Sequence, residues 1–77
     1  MNKERRKRLS VIAEQVSALI DKAREIRDEE KMAFNNMPEG HQQAVWGQEM
    51  AENVTFLEAA VGGLEKAKDW LEEVKIE

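Results

Sequence analysis

From Leu9 onward, apolar side chains return at alternating intervals of three and four residues. One line is Leu9, Val16, Ala23, Glu30 and Met37, and the other is Ile12, Leu19, Ile26 and Ala33. Ala13, Ile20 and Phe34 lie alongside and broaden the stripe. A seven-residue repeat of this kind keeps one helix face turned toward a partner helix over its whole length. Residues 1–37 contain neither Gly nor Pro. The pattern predicts a first helix over about residues 3–35, on the order of 50 Å long at 1.5 Å per residue. Asn2 stands where it can cap that helix.

The run Asn35, Asn36, Met37, Pro38, Glu39, Gly40 ends the pattern. Pro38 cannot sit in a helix interior but is tolerated in a first turn. Asn35 or Asn36 can end the first helix in a left-handed conformation. Asn36 can also cap the next helix, with Glu39 completing a capping box. The reading is a turn at about residues 36–38 and a second helix over about residues 38–74, weakened at its start by Gly40 and Gly47. Its two lines are Met50, Leu57, Leu64, Leu71 and Trp46, Asn53, Ala60, Ala67, Val74. So short a connection makes the helices antiparallel neighbours. Leu9 then falls near Leu71, Val16 near Leu64 and Ala23 near Leu57. Asn53 is the polar seam residue placed to fix register.

Residues 54–64 organise the rest. Glu58 is their one charged residue in a chain that is 36% charged. Their apolar arc exceeds the roughly 100° that a surface helix needs. Gly62 and Gly63 each cost about 1 kcal/mol against Ala in a helix interior, which close approach of another backbone would explain. Two helices alone leave Phe56, Val61 and Trp70 partly exposed on the second helix, and Ala13 and Ile20 on the first. The predicted interface between copies is Val54, Phe56, Leu57, Ala60, Val61, Gly62, Gly63, Leu64 and Trp70. The fold expected is all-α: a single domain over residues 1–77, an antiparallel two-helix hairpin, coiled-coil-like, dimerising into a four-helix bundle.

Size and composition push the same way. A core built from 77 residues is marginal on its own. No Cys is available for a disulfide or thiolate site, and His41 is the single imidazole. Self-association is therefore the expected stabiliser, with no cofactor and no metal.

The formal charge of −4 is unevenly placed. Lys3, Arg5, Arg6, Lys7 and Arg8 against Glu4 give +4 over the first eight residues, leaving −8 for the remainder. The basic segment can contact phosphates or an anionic membrane surface. The plainer reading is charge pairing with Glu72, Glu73 and Glu77 beside it. No apolar run approaches the ~20 residues of a membrane span. Glu14, Asp21 and Lys22 interrupt any signal-peptide core, so a cytoplasmic location is expected.

Catalysis is not. Ser10 and Ser17 lie far along the first helix from His41, so no nucleophile meets a base. The many carboxylates lack the Glu-x-x-His pairs of a di-metal bundle and read as a solvated face. Trp46 is placed in the seam near the turn, and Trp70 on its flank at the interface.

The central run Arg27-Asp28-Glu29-Glu30-Lys31-Met32-Ala33-Phe34-Asn35-Asn36-Met37-Pro38-Glu39 resembles small acidic helical-hairpin proteins of phages and prophages, mostly of unassigned function. The likeness covers about the central third, and residues 54–64 depart from it in being more apolar and richer in Gly. It implies an accessory gene of a mobile element, a class that often encodes inhibitors of host defence or regulatory proteins. No functional residue carries over. The function expected is a non-enzymatic, homo-oligomeric protein-interaction module whose partners are a second copy and a host protein. The alternatives are a nucleic-acid or nucleotide binder using the basic start, and an acidic mimic of DNA.

Overall fold

The computed structural model describes residues 2–74, which are all-helical with two long helices: α1 (Lys3–Asn35), a single turn α2 (Glu39–Gln42), and α3 (Val45–Glu73). At the start, the Asn2 side chain accepts the Arg5 backbone N–H at 2.8 Å. This satisfies one of the donors that a first turn leaves without a partner.

The end of α1 differs from the expectation. Asn36 closes it in the right-handed region, φ −85° and ψ −6°, and no described residue has a positive φ. Its N–H donates to the Met32 carbonyl at 2.9 Å. The second helix is also not continuous from residue 38. Ala44 is extended, φ −72° and ψ 161°, and separates α2 from α3. Pro38, not Asn36, precedes α2 and no side chain caps it, so the capping box does not form.

Tertiary contacts explain the break. The Gln42 side-chain amide donates to the Phe34 carbonyl at 2.9 Å and the Met37 carbonyl at 3.2 Å. Carbonyls at and just past a helix end have no partner within the helix, and Gln42 reaches them only because α2 folds back over the end of α1. Gly47 makes room for this. A Cβ there would lie 2.3 Å from the His41 carbonyl oxygen and 2.7 Å from that of Gln42. The His41 and Trp46 rings, 5.5 Å apart, close the apex.

α1 and α3 run side by side in opposite directions. Arg24 pairs with Glu65, and Lys31 with Glu58 at 4.0 Å. Seven residues forward on α1 match seven back on α3. Ala23 was expected beside Leu57, yet Arg24 reaches Glu65, eight residues further on. Side chains lean toward their own helix N-terminus, which accounts for part of this. The rest follows from the added chain in α2.

The seam is narrower and rotated relative to the expectation. Ile20 and Val61, 4% and 3% exposed, are the buried apolar side chains among the described residues. Around them Leu9, Ala13, Val16, Ala23 and Phe34 face Val54, Leu57, Leu64 and Leu71, all half-buried. One expected line on each helix is in the seam, through Leu9 and through Leu57. The second line is not. Ile12, Leu19, Ile26 and Ala33 are exposed, and so are Trp46, Asn53, Ala60, Ala67 and Val74. Ile20, Ala13 and Val61, expected at the surface, replace them. Asn53 therefore has no place in the seam from which to set register. The apolar stripe is three lines wide, so two rotations satisfy it. The one adopted also brings Arg24 and Lys31 over Glu65 and Glu58.

Candidate interaction surface

Rotation gives the helix pair two unlike sides. On one side, the lines flanking the seam carry Arg24 and Lys31 on α1 and Glu58 and Glu65 on α3, and these pair across the groove. Helix geometry puts the other flanking lines opposite. They are Ile12, Leu19, Ile26, Ala33 and Trp46, Asn53, Ala60, Ala67, Val74, none of them charged, with Arg5 at the head of the α1 line. Phe56, Gly63 and Trp70 continue the apolar surface around α3. Leu19 is 51% exposed, Ile26 55%, Phe56 69% and Trp70 66%.

The amount of exposed surface matches this picture. The accessible area is 6082 Å², against roughly 4,800 Å² for a compact monomer of 8.9 kDa by mass scaling. The Cα radius of gyration is 17.6 Å, against about 11.5 Å for a globule of this length. The molecule is a rod, 59 × 14 × 12 Å in Cα extent. Burying a typical ~800 Å² per copy would remove most of the excess.

The residues expected at an interface between copies divide into two sets. Val61 is buried, and Val54, Leu57 and Leu64 are half-buried against α1, so their apolar area is used within the chain. Phe56, Ala60, Gly62, Gly63 and Trp70 are exposed. A Cβ on Gly62 or Gly63 would meet nothing within 4 Å, so no backbone of this chain approaches them. Ile12, Leu19, Ile26 and Trp46 belong to the open face, although the heptad pattern assigns them to the seam. The signal for their true position is the charge partition of the flanking lines.

The basic segment lies at the N-terminal end of α1, with Arg5 at the head of the open α1 line. Lys3, Arg5, Arg6, Lys7 and Arg8 are all exposed, and none makes an ion pair with a described residue. The expected pairing with Glu72 and Glu73 is not formed. Glu72 instead pairs with Lys68 on its own helix at 3.7 Å. Glu77 lies outside the described residues. Among the described residues, a shallow cleft here is lined by α1 side chains, including Lys3, Lys7, Arg8 and Val11.

Little else offers chemistry. Among the described residues no three of His, Cys, Asp and Glu converge as metal ligands. His41 packs against an indole at the apex, while Ser10 and Ser17 lie on α1. No helix among the described residues is long and apolar enough to cross a membrane. No protein-family model matches the chain, and neither does any curated protein or solved structure.

Proposed function

We propose that the chain is a non-enzymatic, homo-oligomeric protein-interaction module: an antiparallel two-helix hairpin that pairs through its open face into a four-helix bundle. One observation carries this reading. The side of the helix pair formed by Leu19, Ile26, Ala60 and Ala67 is exposed, apolar and without charge, while the opposite side is closed by ion pairs. Apolar surface of this extent on a soluble chain marks an association site. The excess of accessible area supports the same conclusion, since two buried apolar side chains among the described residues make a thin core. The bundle would act by occluding a surface of a host protein in the cytoplasm, the role that the phage-protein resemblance implies.

Sedimentation equilibrium tests the reading. Wild-type protein is expected at twice the mass of one chain. The double variant Leu19→Lys, Ile26→Lys is expected at the mass of one. A wild type that stays monomeric up to millimolar concentration would show that the face does not associate.

The exposed basic segment supports a second reading, contact with nucleic-acid phosphates. Titration with a duplex oligonucleotide decides it. The logarithm of the binding constant should fall linearly with the logarithm of salt concentration. Replacing Arg5, Arg6 and Arg8 with Gln should flatten that slope; an unchanged slope would remove the segment from consideration.

A further inference from the structure

We propose that the second copy lies in the same sense as the first, with each α1 seated on the partner's α3 and both basic segments at one end. This rests on the pairing through the open face proposed above. Two two-fold arrangements bury that face. In one, the axis runs along the rod, and α1 meets the partner's α3. In the other, the axis crosses the rod; α1 meets the partner's α1, α3 meets the partner's α3, and the copies lie end for end.

Charge does not choose between them. All facing helices are antiparallel in both. In both, the basic start of α1 comes beside an acidic helix end, Glu72 and Glu73 in one case and Asp28 and Glu29 in the other. In the same-sense bundle the two basic segments are diagonal neighbours. A diagonal of about 14 Å, from helix spacings of roughly 10 Å, exceeds the ~8 Å Debye length at physiological salt.

Side-chain volume does choose. The open line of α1 is bulky at Ile12, Leu19 and Ile26 and small at Ala33, toward the apex. The open line of α3 is small at Ala60 and Ala67 and bulky at Trp46, also toward the apex. Laid in the same sense, the bulky part of α1 runs along the small part of the partner's α3. On the register set by Arg24 with Glu65 and Lys31 with Glu58, Leu19 and Ile26 straddle the partner's Ala67, and Ala33 lies between its Asn53 and Ala60. Gly63, with open space where its Cβ would be, lets the bulky side chains approach the α3 backbone. Laid end for end so that Leu19 and Ile26 meet the same two residues of the partner, Ala67 meets the partner's Ala67, on the register set by Arg24 with Glu65 and Lys31 with Glu58. That places a crowded layer beside an empty one, which close-packed interiors avoid. The arrangement makes an asymmetric rod with ten basic side chains, five from each copy, at one end.

The chain has no Cys, so Ser10→Cys and Gln43→Cys each give one site for a nitroxide label on an exposed position. Pulsed dipolar spectroscopy on each labelled full-length protein then reads the distance between copies. Both labels are expected within about 35 Å, since like residues share a height in helices packed at roughly 10 Å. End-for-end packing would instead separate the Gln43 labels to about 60 Å, from the 1.5 Å rise per residue. A dimeric mass with that long distance overturns the orientation and leaves the pairing intact. Absent dipolar coupling with a monomeric mass overturns the pairing itself. Ala67→Leu gives a second arm. Same-sense packing predicts at least tenfold weaker dimerisation. Unchanged or tighter association would mean the residue fills a gap, and would count for the end-for-end form.

Discussion

Four glycines in this chain have different consequences because their surroundings differ. Gly47 is the point where α2 lies on the first turn of α3, and a methyl group there would meet two backbone carbonyl oxygens. Backbone cannot move aside as a flexible side chain can. Gly47→Ala is expected to destabilise the fold by about 1–3 kcal/mol through overpacking, less whatever helix propensity returns. Gly62→Ala is expected to do the opposite, gaining up to about 1 kcal/mol, since the position is open and helical. Urea unfolding of the two variants at equal concentration checks the sign of each. Gln42 belongs to the same apex. It leaves the local helix pattern because its amide satisfies carbonyls at the end of α1. Nothing in the spacing of residues 38–47 indicated that bond.

Each long helix offers a choice of faces, and packing selects one. The wide stripe on α1 contains two overlapping heptad lanes, and apolar content alone does not rank them. Charges in the flanking lines do. Arg24 and Lys31 then stand over the opposite charges of Glu65 and Glu58. These pairs are exposed and contribute about 0–1 kcal/mol each, so they bias the rotation of helices rather than hold the molecule together. Reversal of the pair tests this. Arg24→Glu alone is expected to lower stability by no more than about 1 kcal/mol, and Glu65→Arg added to it should restore most of the loss. A double variant no better than the sum of the singles would mean that the contact plays no part in orienting the helices. The same partition divides the residues expected at the interface into those used within the chain and those left exposed, Gly62 among the latter. Val54, Leu57, Val61 and Leu64 face α1, while Phe56, Ala60, Gly63 and Trp70 face outward.

At the scale of the whole molecule, exposed area outweighs local detail. A rod with two buried apolar side chains among its described residues has little to set against the conformational entropy of ordering its residues, about 1–2 kcal/mol each for the backbone alone. If association through the open face supplies the balance, folding and pairing are linked. The melting temperature is then expected to rise measurably over a hundredfold increase in protein concentration. Circular dichroism melts at several concentrations read this directly, and a constant midpoint would place the stability within one copy. The double variant Leu19→Lys, Ile26→Lys should lose the concentration dependence along with the higher midpoint.

The sequence by itself determined the long first helix, its Asn2 cap, the break around Pro38 and the surplus of apolar side chains over what two helices can cover. Those properties follow from local propensity and from counting. Only the tertiary structure decided which of two adjacent lanes enters the seam, that Gln42 ties α2 across the end of α1, and that Gly47 rather than the pair at 62 and 63 is the contact between backbones within the chain. Each depends on groups distant in sequence meeting in space. A periodic pattern records how far apart residues are along a helix, not which neighbour they turn toward.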